Sequence, residues 1–95
     1  MSNTVDAAVA ALNAKMANGF AGSAKIIIKE EGAILLDASG ARAGDGDADV
    51  TLTASAETFK GILDGNVNPT AAYMMGKLSV DGNMGLAIQL ASALS

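Results

Sequence analysis

Hydrophobic side chains near the start of the chain recur at steps of three and four residues. The positions that share this spacing are Val5, Ala8, Val9, Leu12, Met16 and Phe20. Because these steps place side chains on one face of an α-helix, the pattern predicts an amphipathic helix. Asn3 or Thr4 is placed to cap its start, and Gly19 is placed to end it.

From Ala24 onwards the hydrophobic period changes to two. The segments AKIIIK (24–29) and AILLD (33–37) both show this period, and a turn at Glu31–Gly32 separates them. Two alternating segments joined by a short glycine-containing turn predict a β-hairpin.

The middle of the chain contains a glycine-rich stretch followed by a further alternating segment. Residues 38–49 are too rich in glycine for a helix and leave room for at most a short edge strand at Ala41–Ala43. The segment DVTLTA (49–54) places valine, leucine and alanine on one face and two threonines on the other, which predicts a half-buried strand.

Glycine, asparagine and proline divide the second half of the chain into short elements. Ser55 is a good N-cap and Gly65 lies where a left-handed C-cap belongs, so a short helix is predicted between them. Asn68–Pro69 favours the start of a second short helix, which Gly76 ends. The elements predicted after it are a strand over Lys77–Val80, a turn at Asp81–Asn83 and a helix over Met84–Leu94.

The last predicted helix is apolar over nearly its whole circumference. Its polar positions, Gly85, Gln89 and Ser92, form one narrow stripe. For any single apolar residue here, ordinary burial in the core is the default interpretation. A helix of this kind is nevertheless expected to be covered on more than one side, by protein or by a ligand.

Composition and charge restrict the function classes. A length of 95 residues predicts one domain over residues 1–95. Hydrophobic residues make up 51% of the chain and aromatic residues only 3%, so the core is predicted to be aliphatic and to contain methionine. A net charge of −4 disfavours binding to nucleic acid or to an anionic membrane. No stretch reaches the roughly 20 apolar residues that span a bilayer, and no basic leader precedes the first apolar positions. The chain is therefore expected to be cytoplasmic, with neither a nucleic-acid partner nor stable membrane insertion.

The motifs that would indicate catalysis or metal binding are incomplete. The chain has neither cysteine nor histidine, and its spacing brings no lysine or carboxylate to a serine nucleophile. The acidic stretch DGDADV begins like a calcium loop, but Val50 occupies the glycine position and Ala56 the position of the bidentate glutamate. We therefore expect no enzymatic activity, no metal and no cofactor.

The run DGNVNPTAAYMMGKLSVDGNMGLAIQLASAL, residues 64–94, resembles the C-terminal half of the sterol carrier protein 2 (SCP-2) domain. That family shows, in order, a strand of the type found at 48–53, a short helix ending in glycine, Asn-Pro, a Gly-Lys-Leu strand, and Gly-Asn-Met-Gly-Leu-Ala opening a helix. Residues 48–90 carry each part, and the match at Gly82–Ala87 is the most specific. The N-terminal half agrees in the arrangement of helix and strands.

The resemblance implies an α/β (α+β) fold. It has a five-stranded, largely antiparallel sheet with helices covering one face, and an apolar tunnel between sheet and helices that takes up sterols, fatty acids, fatty acyl-CoA or other lipids. The family itself performs no chemistry. This chain is shorter than typical members, has few aromatic residues and ends without a Ser-Lys-Leu signal, so it is most similar to a bacterial, cytoplasmic member.

Two functions follow as hypotheses. In the first, the protein is a non-enzymatic lipid carrier whose apolar ligand lies against the two short helices and the last helix. The residues expected to contact that ligand are Phe59, Ile62, Leu63, Tyr73, Met74, Met75, Met84 and Ile88. In the second, the core is fully packed and the last helix binds another protein or forms a homodimer.

Overall fold

The computed structural model describes residues 3–94, which form four helices and five strands. In chain order the elements are α1 (Asn3–Lys15), β1 (Ala24–Ile28), β2 (Gly32–Asp37), β3 (Gly40–Ala43), β4 (Val50–Ala54), α2 (Ala56–Asp64), α3 (Pro69–Met74), β5 (Leu78–Gly82) and α4 (Met84–Leu94). None of the helices in this part of the chain is long and apolar enough to cross a membrane.

The strands form one sheet in the order β3-β2-β1-β4-β5. Only β1 and β4 are parallel, with Ile26 opposite Leu52, and the other three neighbouring pairs are antiparallel. The α/β fold with a five-stranded, largely antiparallel sheet is therefore confirmed.

One face of the sheet is buried under the helices. Ala24, Ile26 and Ile28 of β1 are almost fully buried, whereas Lys25 and Ile27, which alternate with them, are only half-buried. The same alternation occurs in β2 and β4, as the period of two requires. On the other face Lys25 Nζ donates to Asp45 Oδ1 at 2.9 Å, so the loop after β3 is tied to that face.

Helix α1 is shorter than the hydrophobic pattern predicts. It ends at Lys15 because the chain turns at Gly19, which has φ +77° and donates its N–H to Met16 O at 2.8 Å. A Cβ at Gly19 would lie 2.5 Å from Ala38 O, so only glycine fits this close approach. Phe20 then donates its N–H to Asp37 O and is buried in the core, outside the helix.

The short edge strand β3 forms within the glycine-rich stretch. The side chain of Asn13 holds it, because Asn13 Nδ2 donates to Ala41 O at 3.0 Å and Asn13 Oδ1 accepts from Ala41 N at 2.8 Å. The amide side chain of Asn13 therefore satisfies the backbone N–H and C=O of Ala41 in the way that a neighbouring strand would, and so partly covers this edge of the sheet.

The predicted turn at Asp81–Asn83 is wrong in its first two residues. Strand β5 continues through Gly82, which lies opposite Val50, and Asn83 N then donates to Asp49 O at 2.9 Å. Asn83 starts α4, since its Oδ1 accepts from Leu86 N at 3.0 Å. The bounds of α4 agree with the prediction.

The caps predicted for α2 and α3 are present. Ser55 Oγ accepts from Thr58 N at 3.1 Å, and Gly65 follows α2 with φ +83°. Asn68 Oδ1 accepts from Thr70 N at 2.8 Å at the start of α3. Gly76 follows α3 with φ +77°. These local bonds and turns define where α2 and α3 begin and end.

Candidate functional site

A cavity lies between the buried face of the sheet and helices α2, α3 and α4. Its volume is about 70 Å³. We call it the inner cavity. The residues that line it are Leu52, Phe59, Ile62, Pro69, Thr70, Tyr73, Leu78, Val80, Ala87, Ala91 and Leu94.

Among the residues that the structure describes, no charged side chain lines the inner cavity. Among its lining side chains only Thr70 and Tyr73 carry a polar atom. The six lysine and arginine residues of the sequence all lie elsewhere. Because an isolated charge is costly to bury away from water, this cavity suits an uncharged, apolar group.

The structure brings together three of the eight residues predicted to contact a ligand. Phe59, Ile62 and Tyr73 line the inner cavity. Leu63 lines a separate groove between α1 and α2, and Met75 lines a shallow surface hollow next to α3. The remaining three, Met74, Met84 and Ile88, line neither the inner cavity, the groove nor the hollow.

Five of the eight predicted residues are exposed. They lie on α3, directly after it, or on α4, and their exposed fractions are 45% for Tyr73, 80% for Met74, 66% for Met75, 46% for Met84 and 64% for Ile88. Helix α4 buries Ala87, Leu90 and Leu94. Within residues 3–94, α4 packs against β4 and β5 and also contacts α1 and α3. Met84 and Ile88 on its outer side stay exposed in this part of the chain.

Several lining residues were absent from the predicted set. Leu78 and Val80 reach the cavity because they alternate with Ser79 on the buried face of β5. Ala87 and Leu94 reach it because a separation of seven residues returns to the same side of a helix. The period of two in β5 could have identified the first pair. The pattern of α4 could not identify the second, because that helix is apolar on most sides.

A larger groove lies between α1 and α2. Its volume is about 540 Å³, and we call it the outer groove. Its lining residues are Asn3, Thr4, Ala7, Ala8, Ala11, Ala56, Glu57, Phe59, Lys60, Leu63 and Asp64. Alanines form much of its wall, while Glu57, Lys60 and Asp64 are exposed at its rim.

The carboxyl groups with perturbed pKa values lie away from both spaces. Hydrogen bonding to the Arg42 side chain, 2.9 Å away, lowers the pKa of Asp37, and hydrogen bonding to Lys25 lowers the pKa of Asp45. Each carboxyl group forms an ion pair at the protein surface, Asp37 with Arg42 and Asp45 with Lys25. Neither pair lines the inner cavity or the outer groove. Within residues 3–94 no three acidic side chains come together in a way that could hold a metal ion.

Comparison with solved structures identifies the architecture. Sterol carrier protein 2 from Aedes aegypti, solved in complex with the C16 fatty acid palmitate, has a TM-score of 0.80 and 20% identity, covering 100% of this chain and 97% of that one. The sterol carrier protein domain 2 of Helicoverpa armigera has a TM-score of 0.70 and 23% identity, covering 95% and 81%. At these identities the likeness establishes the fold.

Sequence comparison points in the same direction. Human sterol carrier protein 2 is 44% identical over 46 residues, which are 48% of this chain and 8% of that protein. Zebrafish (Danio rerio) hydroxysteroid dehydrogenase-like protein 2 is 44% identical over 52 residues, which are 50% of this chain and 12% of that protein. The match therefore spans only a small part of these longer relatives.

The profile of the SCP-2 sterol transfer family matches residues 3–95, which is nearly the whole chain. The match joins both halves, so it includes the N-terminal helix and hairpin as well as the motif around Gly82–Ala87. The five-stranded sheet with four helices agrees with that assignment. The chain belongs to the SCP-2 sterol transfer family.

Proposed function

We propose that this protein is a non-enzymatic lipid carrier that holds the apolar chain of its ligand in the inner cavity. The observation that carries the proposal is the lining of that cavity, which is apolar except for the hydroxyl groups of Thr70 and Tyr73. The Aedes aegypti relative in complex with palmitate, which has the same fold, supports a fatty-acid-like ligand.

The inner cavity must widen to hold a lipid chain. Its volume of about 70 Å³ is about half that of the roughly 150 Å³ apolar cavity that accepts one benzene molecule in another protein. Sites for ligands of drug size occupy about 300–1,000 Å³. Uptake of a lipid therefore requires some of the lining side chains or helices to move.

The exposed apolar side chains beside the cavity belong to the proposed site. Met74 at the end of α3, Met75 directly after it, and Met84 and Ile88 on α4 are exposed on the two helices whose other residues line the cavity. We propose that they contact the lipid as it enters and cover it as the cavity widens. Methionine suits this role because its flexible thioether side chain packs against ligands of different shapes.

The charge distribution favours a lipid with one chain and at most one charge over fatty acyl-CoA. No cationic side chain from residues 3–94 lines the inner cavity, and at the rim of the outer groove Lys60 is accompanied by two carboxylates, Glu57 and Asp64. The net charge of the whole chain is −4 at pH 7. The phosphate groups of coenzyme A would therefore be repelled, because like charges raise the free energy of the complex.

Native mass spectrometry and displacement of a fluorescent fatty acid test the carrier proposal. We expect lipid to co-purify, and we expect palmitic acid to displace the probe at lower concentration than palmitoyl-CoA. A bare chain that shows no saturable probe binding would overturn the proposal. Stronger displacement by palmitoyl-CoA would overturn the ligand preference alone.

A pair of matched variants on α4 locates the site. Ala87→Leu adds three carbon atoms at a position that lines the inner cavity, so it should fill part of the cavity and reduce lipid affinity at least tenfold. Ala93→Leu makes the same change on the exposed side of the same helix and should leave affinity unchanged. Equal loss of affinity in both variants would contradict binding in the inner cavity.

The exposed apolar residues also favour a second candidate function. Met74 on α3, Met75 directly after it and Ile88 on α4 each expose more than half of their surface, and α3 and α4 are in contact. Such a surface would become buried if two copies of the chain associated through it. Sedimentation of lipid-free protein tests this: a concentration-dependent dimer that Ile88→Asp abolishes supports the alternative, and a monomer at all concentrations contradicts it.

A further inference from the structure

The side chain of Phe59 lines both the inner cavity and the outer groove. Within residues 3–94 it is the only residue that the two spaces share, and it is almost completely buried. We infer that Phe59 is a movable partition: when a long lipid chain fills the inner cavity, the ring swings aside and the chain extends into the outer groove. This inference rests on the proposed carrier function.

Helix geometry places Phe59 between the two spaces. With 3.6 residues per turn, Ile62 lies about 60° to one side of Phe59 around the axis of α2, and Leu63 lies about 40° to the other side. Ile62 lines only the inner cavity, and Leu63 lines only the outer groove. The ring of Phe59 therefore lies between Ile62 and Leu63 around the helix, at the boundary between the inner cavity and the outer groove.

The wall of the outer groove leaves room for the ring to move. Among the residues that line the groove, Ala7, Ala8 and Ala11 on α1 and Ala56 on α2 have only a methyl group as side chain. None of these four positions therefore opposes Phe59 with a bulky side chain. Rotation of one side chain about its χ1 bond breaks no backbone hydrogen bond. Moving α3 instead would disturb the bond from Lys77 N to Ala72 O, which ties the helix to the start of β5.

The movement would also supply the missing volume. The inner cavity measures about 70 Å³ and the outer groove about 540 Å³. Once joined, the two spaces fall within the range of about 300–1,000 Å³ that is usual for small-molecule sites. Chain-length selectivity then depends on how easily Phe59 moves and on how much of the groove is free.

Methyl NMR of the parent protein tests the partition without any substitution. With the sixteen-carbon palmitic acid, we expect the methyl signals of Ile62, Leu63 and Ala11 to shift. With octanoic acid, the signal of Ile62 should shift more than those of Leu63 and Ala11. If palmitic acid shifts only Ile62 and residues of α3, the chain makes room by moving α3, and the inference is wrong.

A substitution in the groove provides a second test that leaves the core intact. Ala11→Leu places a larger side chain where the ring would move, and the exposed Ala14→Leu on the same helix is the matched control. Each methylene group buried in the parent raises affinity by about fourfold. Ala11→Leu should therefore lower the ratio of palmitic to octanoic acid affinity at least tenfold, and Ala14→Leu should leave that ratio unchanged.

Phe59→Leu completes the set, because it shortens the partition while keeping an apolar side chain at a buried position. It should raise the same affinity ratio, and thermal unfolding checks that the variant is folded. If the parent binds no fatty acid of any length, the carrier function itself fails. If the parent binds but Ala11→Leu and Phe59→Leu both keep its chain-length profile, the carrier function stands and the partition is refuted.

Discussion

Gly76→Val tests whether backbone conformation at the end of α3 determines the shape of the site. Gly76 has φ +77°, in the left-handed region that side chains with a Cβ rarely adopt. It donates its N–H to Tyr73 O at 3.1 Å, and the next residue, Lys77, donates to Ala72 O at 2.9 Å. These two bonds turn the chain from α3 towards β5.

The cost of the substitution comes mainly from backbone strain. A Cβ built at Gly76 has no neighbouring atom within 4 Å, so the added Cβ itself meets no obstacle. An L-residue in this conformation costs about 1–2 kcal/mol, and the β-branched valine lies at the upper end or beyond it. In a chain of this length each kilocalorie lowers the melting temperature by about 4–8 °C.

Urea denaturation of the parent and the variant measures this cost directly. Lipid affinity should fall along with stability, because α3 carries Tyr73 at the inner cavity. Gly76→Asn is the control, since asparagine tolerates the left-handed conformation and should lose clearly less stability. Tyr73→Phe removes only a hydroxyl group, so it should keep the fold and change lipid affinity at most severalfold. A Gly76→Val variant as stable as the parent would refute the strain argument and with it the proposed arrangement of α3.

Three further outcomes are expected. Met84→Asp and Ile88→Asp should fold with an unchanged circular dichroism spectrum, since both side chains are exposed. Each variant should abolish uptake of a fluorescent fatty acid. Binding equal to that of the parent would remove both residues from the proposed site. Calcium should leave the melting temperature unchanged, because Val50 is buried in β4 and cannot complete a calcium loop; a rise of several degrees at micromolar calcium contradicts this. The Arg42 side chain lowers the pKa of Asp37 from its ordinary value of 3.8, so this ion pair stabilises the folded state above pH 3.8 and the stabilisation is lost as the pH falls below that value. Asp37→Asn should therefore be less stable than the parent at pH 6, and the difference in stability should shrink below pH 3.8. A difference that stays constant with pH would exclude the ion pair as its cause.

The sequence by itself determined most of the local structure. The hydrophobic periods located α1, the β1–β2 hairpin and β4, and the capping residues located both ends of α2 and α3. These features depend on neighbours within about four residues, so a single sequence contains the information that they need. The specific motif in residues 64–94 also indicated the family, which the profile match over residues 3–95 then established.

Contacts between distant segments limited what the local patterns could predict. Helix α1 ends early because Gly19 lies against the backbone of Ala38, and β3 is held by Asn13 from a helix 28 positions away in the chain. Strand β5 extends through Gly82 because Val50 lies beside it. A local pattern gives no sign of these partners.

Only the tertiary structure decided which apolar residues meet at one cavity. The period of a helix gives the directions of its side chains relative to one another, but it does not say what lies in each direction. The uniformly apolar α4 therefore gave no reason to prefer Ala87 and Leu94, which line the inner cavity, over Met84 and Ile88, which are exposed. The position of Phe59 between two spaces arises in the same way, because α1 and the sheet approach α2 from different sides.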